Sequence, residues 1–416
     1  MVIPFFGILA IFICLDLWVW VGFDRMLRRL AHGWLWRWML AILMVPPMAF
    51  ILLTLLAFHR MARAHPYIPP LLGAYAYIWH FLILGPTVLG LASCLLVRRL
   101  VQAYREVRVR LQRNNADPPA VPMAEPPAPA TFPVWSRRGF LTAAAFALPP
   151  LASFSLVKVG MAQRGQFRIR RFELAIAGWP APLDGLTIAL VADVHAGIFS
   201  TPKMLSDVAD ATNNLRADLV LLGGDLVNMT HADLPSALDM VMRMEGRYGL
   251  YMVEGNHDVI EPARDFEAVC RKRGVRLLVN EVETIAPRGV PIQLLGTRWD
   301  VSSPTTTQAA AMAQSVATVA CDRDLTLFPI LLAHHPHSWD EAAARGIPLV
   351  LSGHTHGGQI MLTPTIGAGP LRFKYWSGLY QKPGSSLIVS NGVGNWFPLR
   401  VNAPAEILHI TLHPVS

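Results

Sequence analysis

Five apolar runs in the last two thirds of this 416-residue chain each end on side chains that bind metal ions. Leu186–Ala192 leads into Asp193-Val194-His195, and Ala217–Leu222 leads into Gly223-Gly224-Asp225. Leu250–Glu254 leads into Gly255-Asn256-His257-Asp258, Leu327–Ala333 into His334-His335-Pro336, and Ile347–Ser352 into Gly353-His354-Thr355-His356. Short apolar runs bounded by Gly and polar residues read as buried strands. Ligand sites in open α/β sheets form just beyond the carboxyl ends of the strands. The pattern therefore predicts an α/β domain in which five strand ends aim their side chains at one rim.

A lone Asp-x-His or His-x-His is common, and a Gly-Asp after a strand is usually a turn. The order of the set and its glycine punctuation make it specific. Carboxylates and imidazoles suit Mn, Fe, Zn or Co, and the absence of Cys from the motifs argues against a thiolate site. The glycines let the backbone pack at sharp strand-to-loop turns.

With these motifs the chain resembles the calcineurin-like metallophosphoesterase superfamily, and within it the membrane-associated bacterial branch. The resemblance runs from Leu186 to Leu412. It includes Gly353–Gln359 in full, Ser390-Asn391-Gly392-Val393-Gly394, Pro398-Leu399-Arg400 and Pro404-Ala405-Glu406. It implies a sandwich of two mixed sheets flanked by helices, holding two divalent metal ions. Carried over by motif, Asp193, His195 and His356 bind the first metal, Asp225 bridges, and Asn256, His334 and His354 complete the second. The family spacing His-x-Pro selects His334 over His335 as ligand, and His337 fits no motif position. The resemblance further implies hydrolysis of a phosphate ester by a metal-activated hydroxide. His257 then serves the departing oxygen as the acid–base group, and Asp258 orients it through the other ring nitrogen. Many relatives carry Asp where this chain has Asn228. Arg298, Trp299, Asp300, His231, Asn395 and Arg400 are weaker candidates for the rim.

The front of the chain has a different character. The whole is 53 % hydrophobic with mean hydropathy +0.38, and the excess lies in Val2–Phe23, Met39–Phe58 and Leu71–Val97. Each reaches the roughly 20 residues needed to cross a bilayer. Trp18, Trp20, Trp34, Trp36 and Trp38 fall near their ends, as interfacial aromatics do. Asp16 and His80 lie inside spans, where ionisable groups pair with a neighbouring helix or mark function. A fourth, Ala-rich segment, Phe140–Ala162, follows Ser136-Arg137-Arg138-Gly139-Phe140-Leu141, which resembles a twin-arginine export signal. The expected organisation is transmembrane helices over 1–113, a Pro/Ala-rich linker over 114–135, a signal-anchor or fourth helix over 136–163, and the phosphoesterase domain over 164–416.

Arg25, Arg28, Arg29 and Arg37, and the Arg-rich stretch Arg98–Arg113, mark the cytoplasmic side. This expects a multi-pass protein of a bacterial inner membrane with its catalytic domain in the periplasm, exported with the twin-arginine translocase as partner. A non-spanning Pro149-Pro150 segment would leave the domain cytoplasmic. The net charge of +8 comes mostly from these flanks, so lipid headgroups account for it and no nucleic-acid partner is expected. A disulfide between Cys270 and Cys321 is open to an extracytoplasmic domain.

Three functional readings follow. The first is a membrane-anchored phosphoesterase acting on an envelope or lipid-linked substrate, with Trp376, Leu379, Tyr380, Trp396 and Phe397 available either to guide acyl chains or to pack the core. The second is a pyrophosphatase on a precursor such as a UDP-diacylglucosamine, which requires a cytoplasmic catalytic face. The third is a membrane scaffold that binds metal without turnover.

Overall fold

The structure, a computed structural model, describes residues 2–28, 33–56, 70–113, 137–299, 307–397 and 399–415. The linker expected at 114–135, Ser136 of the twin-arginine pattern, Asp300 and Pro398 lie outside the described residues. The chain divides into two compact units that part between Val157 and Lys158.

The first unit is helical. It contains α1 (Val2–Leu27), α2 (Gly33–Leu56), α3 (Pro70–Ile78), α4 (Leu84–Arg113) and most of α5 (Arg137–Arg164). A π-helical turn, Trp79–Ile83, joins α3 to α4, so the apolar run expected at Leu71–Val97 falls on two helices. Among the described residues, Leu84–Arg110 is long and apolar enough to cross a bilayer, and Trp34–Phe50 is a shorter apolar stretch. Asp16 and His80 meet: His80 Nε2 lies 2.8 Å from Asp16 Oδ2, Trp79 Nε1 donates to Asp16 Oδ1 at 2.8 Å, and His80 Nδ1 donates to Ala76 O at 2.7 Å. Each group so enclosed has a partner, as burial of polar atoms demands. Apolar side chains are prominent on the unit's outer side, with Ile42, Leu89, Leu96 and Leu100 all exposed.

The second unit is a two-sheet sandwich. One sheet contains β1 (Phe167–Ile176), β2 (Leu186–Val191), β3 (Leu219–Leu222), β4 (Leu250–Met252), β5 (Arg276–Leu277) and β14 (Ala405–Pro414), in the order β1-β14-β2-β3-β4-β5. The other contains β6 (Glu281–Ile285), β7 (Ile292–Gly296), β8 (Phe328–Leu332), β9 (Leu349–Ser352), β12 (Gly378–Lys382) and β13 (Ser385–Val389), in the order β12-β13-β9-β8-β7-β6. A small hairpin, β10 (Met361–Thr363) and β11 (Ile366–Gly367), stands apart. Strands β2 to β5 run parallel, as do β7, β8, β9 and β13. The carboxyl ends within each run therefore share one edge.

Alternate residues explain the layers. Leu186, Ile188 and Leu190 of β2 face Ile330, Leu332, Leu349 and Leu351 across the sandwich. Ala189 and Val191 face outward onto α6 (Pro202–Asn214) and α7 (Leu234–Arg243), through Met204, Val208, Leu238 and Val241. The outer face of the second sheet is covered by α9 (Gln308–Asp322) and α10 (Ser338–Ala344), with α8 (Ala263–Lys272) closing the first. Burial of one such Leu or Ile contributes about 1.5–3 kcal/mol, so these strands hold their register firmly. The helix starts are local: Thr201 caps α6 by accepting from Met204 N, and Pro202 follows it. Cys270 is buried on α8 and Cys321 is exposed on α9, and both are free. The sequence-based option of a bridge between them is corrected, because they pack with different sheets.

Candidate metal centre

The ligand-type residues follow β2, β3, β4, β8 and β9 directly. Asp193, His195, Asp225, His354 and His356 all adopt left-handed backbone, with φ of 54°, 46°, 56°, 73° and 51°. Non-glycine residues hold this conformation at a cost of about 1–3 kcal/mol each. The strained turns swing successive side chains back over the strand ends instead of along them. The loops are laced together: Asp193 N donates to Gly224 O and His195 N to Asp225 O, both at 3.0 Å. Gly353 sits so close that a Cβ there would meet Asp193 Oδ2 at 2.5 Å.

Three overlapping groups of donors result, one of them His195, Asp225 and His257, and two hold the expected ligand-type residues. Asp193, His195 and His356 form one: His195 Nε2 lies 2.9 Å from His356 Nε2, and His356 Nε2 lies 3.7 Å from Asp193 Oδ1. Asp225, His334 and His354 form the other: His334 Nε2 lies 3.2 Å from Asp225 Oδ2, and His354 Nδ1 lies 3.1 Å from His334 Nε2. Asn256 Oδ1 joins this second group, 3.2 Å from His334 Nε2 and 2.9 Å from His354 Nδ1. Asp225 Oδ2 also lies 3.5 Å from His195 Nε2, so it faces both groups.

The donor set fits divalent cations. Asp193 Oδ2 and His195 Nδ1 are buried with no hydrogen-bond partner. Burial pushes Asp193 up to about 7, with Asp225 adding to the rise. Burial opposes the charge on His334 too, but Asp225 and Asp193 raise it to about 9. Burial and neighbouring positive groups hold His195, His354 and His356 well below the usual imidazole range. Neutral imidazoles packed nitrogen to nitrogen beside buried carboxylates are what a cation between them requires. His334 Nδ1 donates to Gly223 O at 2.7 Å, which leaves Nε2 as the ring nitrogen able to face a cation.

Residues 186–358 match the model of the calcineurin-like phosphoesterase family. The chain carries a calcineurin-like metallophosphoesterase domain. It is similar to an uncharacterized metallophosphoesterase of Helicobacter pylori, 31 % identical over 55 % of this chain and 60 % of that protein. It is also similar to a transmembrane protein with metallophosphoesterase domain of Danio rerio, 29 % identical over 58 % of this chain and 56 % of that one. The phosphodiesterase YaeI of Escherichia coli is 27 % identical over 67 % of this chain and 99 % of its own length. The chain thus spans less than two thirds of the first two relatives.

Around the donors, the metallophosphoesterase domain differs from the sequence expectation at Asp258. Its carboxylate does not hold His257. Oδ1 accepts from Leu226 N at 2.8 Å and Val227 N at 3.1 Å, and Oδ2 accepts from Gly255 N at 2.9 Å. Asp258 therefore stitches the loop after β3 to the loop after β4, and these amides use up the oxygens that would have faced the ring. The Nδ1 of His257 instead donates to Asn228 O, and its backbone N donates to Asp225 Oδ1 at 2.8 Å. With Nδ1 so engaged, Nε2 is the nitrogen of His257 left for chemistry.

Other residues fall into place around the centre. His335 stacks on His354 with ring centroids 4.5 Å apart, and burial lowers it to about 3, so it stays neutral. His337 donates its backbone N to His335 Nδ1 at 3.2 Å. Trp299, a weak candidate in the sequence, lies 5.3 Å from His354 and 5.4 Å from His334, centroid to centroid. Phe373 was not anticipated, and its ring packs 5.7 Å from His354. No motif marks it; it follows α11 (Ala368–Arg372), and only the fold returns it to the site.

Arg400 is fully buried. Its guanidinium donates to Asn395 Oδ1 at 2.9 Å, Asn391 O at 2.9 Å, Ala403 O at 3.0 Å and Gly394 O at 2.6 Å. Nη2 also lies 3.0 Å from His356 Nδ1. Burial lowers Arg400 to about 10 against the pull of Asp193 and Glu406, so it remains a cation at neutral pH. It fastens the late loop and steadies His356 from behind. Arg298 pairs with Glu267 at 3.1 Å, and His231 Nε2 donates to Asp258 O at 2.8 Å.

Proposed function

We propose that the protein is a membrane-anchored phosphoesterase using two divalent metal ions, and that its substrate is an envelope or lipid-linked phosphate ester. The observation that carries the reading is the convergence of Asp193, His195, Asp225, Asn256, His334, His354 and His356, with Asp225 between the two groups. When bound, two such ions gather phosphate oxygens and acidify water. The chain's own residues do the rest. Asp225 and Asp193 supply negative charge at the shared centre. Asn256 adds a neutral oxygen, which limits that charge. His257, held through Nδ1 by Asn228 O, presents Nε2 to protonate the departing oxygen. Trp299 and Phe373 wall the second group with aromatic surface, which narrows access for water.

The anchor is the helical unit. Exposed apolar side chains on α1, α2 and α4 suit lipid contact, and the relatives named as transmembrane proteins support a membrane setting. We take the chain to be a multi-pass protein of a bacterial inner membrane, with α5 carrying the domain to the outer face after Arg137-Arg138.

The test uses the full chain in detergent. Its metal content is counted, and hydrolysis of bis(p-nitrophenyl) phosphate and p-nitrophenyl phosphate is followed with Mn, Zn, Fe or Mg. Two metal ions per chain, with turnover lost in Asp225→Asn and His257→Ala, are expected. Folded protein that binds no metal would sink the reading.

A further inference from the structure

Five exposed apolar side chains of the second unit lie on loops that are tied to one another. Leu362 (70 % exposed), Ile366 (58 %) and Leu371 (89 %) project from the β10–β11 hairpin and α11, and Ile198 (45 %) and Trp396 (42 %) project from two further loops. These loops are stitched to the last turns of α5. Arg400 N donates to Gly160 O at 3.1 Å, Asn402 N to Gln163 Oε1 at 2.8 Å, and Asn395 Nδ2 to Arg164 O at 3.1 Å. Asn402 Nδ2 then donates to Met361 O at 3.0 Å, which ties in the hairpin. Asn395 N donates to Ser200 Oγ at 3.3 Å, and the Arg164 guanidinium lies over the Phe199 ring at 6.0 Å, which ties in the loop bearing Ile198. A Cβ at Gly160 would meet Leu399 at 2.8 Å, so the helix backbone lies directly on the late loop.

Charge points the same way. No Asp or Glu occurs between Glu341 and Glu406, the stretch that holds the hairpin, α11 and the late loop. Lys158 and Arg372 are exposed beside it. A soluble surface rarely clusters bare Leu and Ile in this way. An apolar rim with an exposed Trp and exposed basic side chains, built mostly from a stretch without acids, matches the headgroup–acyl boundary of an anionic bilayer.

We propose that this rim is a membrane-docking surface, seating the domain on the anionic bilayer in which α5 is anchored. It rests on the anchor reading above. Leu362, Ile366, Leu371 and Trp396 enter the boundary, and Lys158 and Arg372 meet the headgroups. Trp396 lies 6.4 Å from His356, ring to ring. The metal centre therefore opens at the level of the lipid phosphates, and the substrate class is a phosphate ester presented by a lipid.

The experiment places a fluorophore on the full chain in nanodiscs of phosphatidylethanolamine and phosphatidylglycerol. The exposed Cys14, Cys94 and Cys321 are replaced by Ser, and an NBD group is attached through Leu371→Cys, Leu362→Cys or Leu325→Cys. Leu325 is 80 % exposed and precedes β8, at the end away from His334. Doxyl-labelled lipid is expected to quench the probe at 371 and 362 several-fold more than at 325. Equal quenching at the three positions, in a chain that co-elutes with nanodiscs, overturns the docking surface and leaves the anchor standing. A shielded but unquenched probe in a dimer also overturns it, because a second copy then covers the rim. A chain that fails to enter nanodiscs overturns the anchor and this inference with it.

Discussion

His257 owes its orientation to a backbone atom, the carbonyl of Asn228, not to the neighbouring carboxylate. The side chain at 228 is therefore replaceable where the residue's backbone is kept. Asn228→Ala is expected to keep turnover within about threefold. His257→Gln, which retains a polar group of similar reach but no titrating nitrogen, is expected to lose about 10²–10⁴-fold. Initial rates on a model phosphodiester check both, and a collapse in Asn228→Ala would assign the side chain a role of its own. Arg400 makes a second prediction at this scale. Its donors satisfy carbonyls that no water reaches, and a buried cation's partners are costly to strand. Arg400→Gln is expected to destabilise the domain by about 3–5 kcal/mol, read as a shift in the denaturant midpoint.

At the scale of elements, the first sheet is closed by its late strand. β14 inserts between β1 and β2, pairing parallel with one and antiparallel with the other. At its end His413 lies 2.8 Å from Glu173 on β1 and 2.7 Å from Asp184 before β2. The hydrogen bond to Glu173, then that to Asp184, raises His413 above its ordinary 6.5, and His413 lowers Glu173 below 4.5. The histidine's contribution is full below 6.5 and fades as pH rises through its raised pKa. The glutamate's is full above 4.5 and fades as pH falls through its lowered pKa. The clasp is thus complete between pH 4.5 and 6.5. The melting temperature of the chain minus that of His413→Gln is expected to peak in that window and to vanish in alkaline buffer. A difference flat across pH would mean the clasp contributes nothing.

At the scale of the whole molecule, a helical unit and a sandwich share one continuous helix, α5, whose last turns belong to the sandwich. The helical unit encloses one ionisable pair, Asp16 with His80, and leaves many apolar side chains of α1, α2 and α4 exposed. An enclosed ion pair beneath exposed apolar side chains suits lipid as solvent. The full chain is expected to remain in the membrane fraction after an alkaline carbonate wash, followed by immunoblot. Release into the supernatant would remove the membrane setting.

The strand ends and their ligand-type residues were legible because β2, β3, β8 and β9 are buried on both faces. Such strands read as unbroken apolar runs, and the Gly and His that follow stand out against them. The apolar front of the chain was legible for the same reason, since composition alone records what a segment avoids. Three things were decided only by tertiary structure. The two-sheet sandwich followed from the family resemblance, but which strands neighbour one another depends on pairings between distant segments, Phe167–Ile176 with Ala405–Pro414 above all. The duty of Asp258 depends on backbone amides from another loop, and no side-chain pattern records where an amide points. The roles of Arg400, Trp299 and Phe373 depend on which loops the sandwich folds over its rim. Burial periodicity is a local property of a strand, whereas hydrogen-bond partners and ring contacts are set by long-range packing. The sequence by itself determined the fold class and the ligand-type residues at the strand ends, while the packing of the two sheets decided which residues orient and enclose them.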